Sequence, residues 1–204
     1  MENEQEIADY IRNKVWSGFY DEDEIAQIVS DTYFDGTPGD AGLIEGVINR
    51  EFEKKRIAEK SWPAETDYDR LNRVFSTLEG LNILVLENAG FTFTDGLEDV
   101  AEAWYGCGGE DSSIVGYCFY HGQDLAGVVE SGELCLAFGD ILSADKMIGI
   151  AGDGGDGPKS RTRAIEVGQS IFRELKAAGF KVEWDQSIEK RIEIKGISWQ
   201  KRRQ

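Results

Sequence analysis

The stretch "ILVLENAGFTFTDGLEDVAEAWYGCGGEDSSIVGYCFYHGQDL", Ile83 to Leu125, decides how this chain folds. Ile83–Leu86 is a short apolar run of the kind that forms a buried strand. After the polar turn "NAGFTFTDG" (Asn88–Gly96), Leu97, Val100, Ala101 and Trp104 recur at helical spacing. Ser113–Tyr120 then reads as a second strand. Val115, Tyr117 and Phe119 would point one way and Ile114, Gly116 and Cys118 the other, so neither face is polar and a central strand is predicted. A second polar turn, "CFYHGQDL" (Cys118–Leu125), leads into a short helix around Gln123–Glu130. If this strand–helix–strand unit makes the usual right-handed crossover, its strands are parallel and both turns emerge at one sheet edge. Ligands bind at that edge in open α/β sheets.

Downstream, Leu134–Phe138 and Met147–Ala151 are further strand candidates, and Pro158 opens a long helix through Ile165, Phe172 and Leu175 to Gly179. Phe180, Val182 and Trp184 alternate as a strand. Asp185–Glu189 turns the chain into a partner in which Ile192 and Ile194 alternate with charged residues. Upstream the texture is helical. Ile7, Tyr10, Ile11 and Val15 share a face before Gly18; Asp21 and Glu24 have capping-box spacing ahead of Ile25, Ile28 and Val29. Ile44, Ile48 and Phe52 mark a third helix whose charged end, Glu51–Lys60, reads as solvated. Thr66 to Gly80 forms a fourth, striped by Tyr68, Leu71, Phe75 and Leu78. The expected fold class is α+β: a helical segment over residues 1–80, then an α/β core over 81–204 with a mixed sheet and a C-terminal hairpin, folding as one cooperative unit.

Composition narrows the function classes. A chain of 204 residues that is 41% apolar can bury a sizeable core without disulfides. Its Met1–Glu6 start lacks a basic, apolar secretion signal, and no run is long enough to cross a bilayer. Cys107, Cys118 and Cys135 match neither a zinc-knuckle nor a redox-pair spacing, so reduced thiols in a cytoplasm are expected. Residues 1–150 carry 10 basic and 31 acidic side chains, whereas residues 151–204 carry 12 and 8. That field repels nucleic acid and anionic membrane, and favours a basic protein partner or self-association. The competing reading is that the charge serves solubility alone, as a solvated face.

The candidate site is the meeting of the two turns. Asn88, Thr92, Thr94 and Asp95 would lie near Tyr120, His121, Gln123 and Asp124, so the only histidine of the chain would sit among carboxylates, amides and hydroxyls. His121 is the candidate acid–base, with Asp124 or Asp95 to orient it; Asn88, Thr94, Tyr120 and Gln123 are candidate ligand-binding groups. The competing reading is structural. Thr94 or Asp95 with Glu98 has capping-box character, and Asp124 stands where a helix-starting carboxylate belongs. Cys118 cannot form a local dyad with His121, because three residues along a strand put side chains on opposite faces. Cys107 is flanked by Glu110 and Asp111, which would raise its pKa.

"GDGGDGPKS" (Gly152–Ser160) approaches a phosphate loop, yet Pro158 removes a donor and Asp153 and Asp156 would repel the phosphates. An EF-hand ladder is absent, and no cofactor or metal is expected. The basic tail Lys201-Arg202-Arg203 is expected to lie against the protein's own acidic surface or to fray.

Several segments together resemble a bacterial family defined as a domain of unknown function: "KVWSGFYDEDEI" (Lys14–Ile25), "WPAETDYDRL" (Trp62–Leu71), the two turns, "LAFGD" (Leu136–Asp140) and "VEWDQSIEKRIEI" leading to "WQKRR". The resemblance spans nearly the whole chain. It implies that the helical part and the α/β part are one evolutionary unit, and that Tyr120–Asp124 belongs to the family's pattern. It carries over no catalytic residue or cofactor. The leading expectation is a non-enzymatic binding or regulatory protein with an acidic surface; the alternative is a small-molecule enzyme or ligand-binding protein using the two turns.

Overall fold

The computed structural model describes residues 2–34, 41–142 and 158–203. The chain divides into two compact units, one formed by Met1–Tyr68 with Ser198–Gln204 and the other by Asp69–Ile197. The sequence expectation put a division at 80/81. The structure instead groups most of the fourth helix with the α/β part and the C-terminal tail with the helices.

In the first unit, α1 (Glu2–Ser17), α2 (Glu22–Tyr33) and α3 (Ala41–Glu59) enclose a core of Ile11, Val15, Ile25, Val29, Ile44 and Ile48. Their local signals act as the sequence predicts. Gly18 takes φ +81° at the end of α1, and Asp21 and Glu24 form a reciprocal capping box at the start of α2. The charged end of α3 departs from expectation, because Glu51 and Lys55 are both buried. Glu51 accepts from the Trp16 indole at 3.0 Å, and the Lys55 Nζ donates to the Val15 carbonyl at 3.1 Å. Heptad-like spacing on α3 turns these two charges inward with Ile44 and Ile48.

The tail does not fray. Trp199 is buried, donates through its indole to the Ser17 carbonyl at 3.0 Å and packs edge-on to Tyr68. Lys201 donates to the Tyr68 hydroxyl at 2.6 Å and lies over the Phe19 and Tyr68 rings. Arg203 reaches Glu22 at 2.8 Å. Residues 1–68 carry 17 acidic and 7 basic side chains, so a tail bearing three cations docks on a strongly acidic partner.

Burial pushes Lys55 from the usual 10.5 down to about 8, with Lys201 and Arg203 adding repulsion and Glu59 opposing it. The unfolded chain therefore holds this proton up to about pH 10 while the folded chain releases it near 8. Folding stability should rise as pH climbs through that window, by at most about 3 kcal/mol from this group. The check is the pH slope of the denaturation midpoint between 7.5 and 10: the Lys55→Met variant should be less steep than the parent. Equal slopes would show that Lys55 titrates normally.

The second unit holds a five-stranded mixed sheet in the order β1-β2-β3-β5-β4, comprising β1 (Ile83–Leu86), β2 (Gly116–Phe119), β3 (Glu133–Asp140), β4 (Lys181–Glu183) and β5 (Ile192–Lys195). β1 and β2 are parallel, and every other pairing is antiparallel. The protein is thus α+β, with α4 (Asp67–Gly80), α5 (Phe93–Gly106), α6 (Gly122–Ser131) and α7 (Pro158–Ala177) beside the sheet and a 3₁₀ turn, η1 (Gly109–Asp111), after α5. β2 is central, as its two apolar faces require. Tyr117 and Phe119 pack with Leu97, Val100 and Trp104 of α5. On the opposite face Gly116 admits α7, since a Cβ there would come within 2.4 Å of Val167. The expected strand at Met147–Ala151 and most of the Gly-rich segment lie outside the described residues.

Candidate functional site

β1 and β2 both deliver their turns to one sheet edge, and the backbone joins them. Ala89 N–H donates to the Tyr120 carbonyl at 2.9 Å, Gly122 N–H to Gly90 at 3.0 Å and Gln123 N–H to Phe91 at 3.3 Å. The first turn needs its special residues. Asn88 sits at φ +52°, and Gly90 at φ +55° has no room for a side chain, because a Cβ would come within 2.3 Å of the Asp95 Cβ.

Each turn ends in a reciprocal cap. Thr92 caps α5: its hydroxyl accepts from Asp95 N–H at 3.4 Å, and the Asp95 carboxylate accepts from Thr92 N–H at 2.8 Å and Phe91 N–H at 3.2 Å. The box expected from Thr94 or Asp95 with Glu98 therefore begins earlier, at Thr92, because the turn closes onto Gly90 and starts the helix at Phe93. These bonds hold the Asp95 carboxyl below its ordinary pKa, the Thr92 amide contributing most. Thr94 and Gln123 face solvent.

His121 caps α6. Its Nδ1 accepts from Asp124 N–H at 3.3 Å, and Asp124 Oδ2 accepts from His121 N–H at 3.2 Å. The imidazole Nε2 also lies 3.1 Å from Asp124 Oδ2. Both residues are buried. The Arg191 Nη1 closes the group, 2.8 Å and 2.9 Å from the two Asp124 oxygens and 3.2 Å from His121 Nε2. Burial lowers the His121 pKa and Arg191 lowers it further, while Asp124 and Asp95 oppose the shift. The ring is therefore neutral at pH 7. Nδ1 lies against the Asp124 amide, and Nε2 lies within 3.1 Å of Asp124 Oδ2 and 3.2 Å of Arg191 Nη1, so both ring nitrogens are engaged inside this buried group. The arrangement ties α6 to the start of β5.

Tyr120 is fully buried, stacks on Phe75 and donates to Glu87 at 2.7 Å. Cys118 is also fully buried, and its thiol is pushed up to about 12 by desolvation, so it is inert at neutral pH.

Sequence reasoning brought the two turns together but missed Arg191, one of the charged residues that alternate with Ile192 and Ile194 in the hairpin. A signal existed: no Lys or Arg occurs between Arg73 and Lys146, so a buried Asp124 had to draw its cation from a distant part of the chain. The same stretch makes the face around the turns acidic. Glu98, Asp99 and Glu102 of α5 are exposed. Phe91 is 52% exposed and Phe93 37%, with Tyr105 at the far end of α5 at 49%.

Fold and site together define an α+β protein in which Thr92, Asp95, His121 and Asp124 of the two turns are engaged in capping and ion pairing, beside exposed acidic and aromatic side chains of α5 and its turn. The chain belongs to the family described as a domain of unknown function (DUF6891), whose model matches residues 1–203. No curated protein and no solved structure shows significant similarity to it. Among the described residues no helix is long and apolar enough to cross a membrane, and no group of three or more His, Cys, Asp or Glu side chains is placed to hold a metal ion.

Proposed function

We propose that this protein is a non-enzymatic, cytoplasmic binding protein that engages a basic partner through the face formed by the Asn88–Gly96 turn and α5. The observation that carries the reading is the exposure of Phe91 and Phe93 in a turn whose backbone is braced on both sides. Large aromatic rings held rigidly in solvent are typical binding anchors. Phe93 leans on the buried Phe119 ring, and Phe91 lies over Gly122, so neither needs ordering on contact. Glu98, Asp99 and Glu102 add three exposed negative charges along a stretch of chain that has no Lys or Arg between Arg73 and Lys146, which favours a Lys- and Arg-rich partner. Three unpaired cysteines accord with a reducing compartment.

The catalytic alternative, with His121 as acid–base, has less support. It requires a ring nitrogen turned toward a substrate, whereas both lie against Asp124 and Arg191 in a buried group.

The test is affinity capture from a lysate of the source cells with three baits: the parent chain, Phe91→Ser/Phe93→Ser, and Glu98→Gln/Asp99→Asn/Glu102→Gln. The expected result is a basic protein that the parent retains at low salt and each variant loses. Elution should occur by about 0.3 M salt, where the screening length falls below about 8 Å. Equal retention by all three baits, or capture of acidic proteins only, would overturn the reading.

A further inference from the structure

The opposite end of the same sheet holds a cavity that the candidate site does not use. It encloses about 440 Å³ between α5, η1, the segment entering β2, the end of β3 and the start of α7. That volume falls within the range of small-molecule pockets, roughly 300–1,000 Å³. Its walls are mainly apolar: Trp104, Ile114, Val115, Ile141 and Leu142. The Trp104 indole is tied to Ser112 at 3.1 Å, and the Ser112 hydroxyl donates to the Gly109 carbonyl at 2.7 Å, so this wall is fixed.

Among the described residues, Arg163 is the cation that lines the cavity. Its Nη2 lies 3.1 Å from Oδ2 of Asp140, a carboxylate that is buried and also accepts from the Ser160 hydroxyl at 2.9 Å. The buried carboxylate orients the guanidinium, while 46% of the Arg163 side chain remains open to solvent. A guanidinium presents five N–H donors in a rigid fork, so one held by Asp140 along one edge can still receive a carboxylate along another. Lys159 and Arg161 precede it, Arg161 paired with Glu189, and α7 has no acidic residue of its own in the first turn, the buried Asp140 being the carboxylate at that helix end.

We propose that this cavity binds a small monocarboxylic acid with an apolar body, the carboxylate on Arg163 and the body against Trp104, Ile114, Ile141 and Leu142. An amphipathic amine fits less well, because the Asp140 charge is already engaged by Arg163 and Ser160, and Glu110 at the cavity is exposed to water. A polyphosphate or dicarboxylate would bring two or more charges to the one cation among the described lining residues, beside Glu110. This site does not depend on the partner-binding reading: Phe91→Ser/Phe93→Ser should leave it intact.

The experiment titrates the full ¹⁵N-labelled chain with 4-phenylbutyrate and, separately, with 4-phenylbutylamine, following amide and indole resonances by NMR. The acid should produce saturable shifts at Ser112, Ile114, Val115 and the Trp104 indole, and bind at least tenfold more tightly than the amine. Arg163→Met should weaken the acid at least tenfold. Val115→Trp, at a position 46% exposed, should obstruct the cavity and abolish the shifts without changing any charge. Should Arg163→Met fail to fold, the acid–amine comparison and Val115→Trp still decide. Equal or tighter binding of the amine overturns the proposal. So does a lack of saturable shifts at the walls, or unchanged acid binding in a folded Arg163→Met or Val115→Trp variant.

Discussion

Replacing Asp124 by Ala is expected to destabilise the α/β unit by about 3 kcal/mol, the scale of breaking a buried ion pair. Two losses coincide at this residue. The carboxylate is one half of the cap at the start of α6, and it also receives the Arg191 guanidinium at 2.8 Å and 2.9 Å. A lost cap alone costs about 1 kcal/mol. The ion pair would count for more if both partners were enclosed. The Arg191 side chain is 38% exposed and can rehydrate once its partner is gone, which tempers the penalty. For a chain of this size about 3 kcal/mol corresponds to a fall of roughly 6–12 °C in Tm.

Arg191→Met should be costly in a different way. It leaves the buried Asp124 carboxylate without its cation, and a stranded buried charge is penalised more than a lost half-exposed guanidinium. Thermal scans of both variants at pH 7, each compared with the parent, provide the check, with Arg191→Met expected to melt at least as low as Asp124→Ala. A parent-like Tm for Asp124→Ala would show that the His121–Asp124–Arg191 group is not a structural tie, and would reopen its catalytic reading.

Trp199→Ala should be comparably damaging to the helical unit, at about 3–5 kcal/mol for a buried Trp reduced to Ala. The side chain is 8% exposed, its indole donates to the Ser17 carbonyl, and its ring sits 5.3 Å from that of Tyr68. Truncation would leave a void, and the Ser17 carbonyl would lose its donor. Neighbouring residues reinforce the seat: a Cβ on Gly18 would come within 2.8 Å of the Lys201 carbonyl oxygen, so the chain passes closely there. Lys201→Met, which removes a charge but keeps an apolar stem between Phe19 and Tyr68, should cost far less than Trp199→Ala. Limited proteolysis supplies the readout, with cleavage within α1–α3 expected to accelerate in Trp199→Ala and to change little in Lys201→Met. Indifference of those helices to Trp199→Ala would show that the tail rests on the unit without supporting it.

These two residues also mark how far reasoning from sequence reaches. The helix-to-strand change near residue 80, the parallel β1–β2 pair and the convergence of the two turns follow from local periodicity and from the handedness of crossovers. The capping box at Asp21 and Glu24 is equally local. By contrast, Glu51 and Lys55 fall in a charged run whose natural reading is a solvated face, and only the packing of α1 against α3 buries them. The Thr92 cap was misplaced because Thr94 and Asp95 offer the same chemistry nearby; what selects Thr92 is the closure of the turn at Gly90.

By itself, then, the order of residues determined the secondary elements, the α+β class, the acidic character and the pair of turns that meet, since each depends on spacing within about a dozen neighbours. Tertiary structure decided what those turns hold. Arg191 lies 67 residues from Asp124, and Trp199 lies 182 from Ser17. A buried carboxylate or carbonyl takes whichever donor the fold brings within about 3 Å, and nothing in local periodicity encodes that distance.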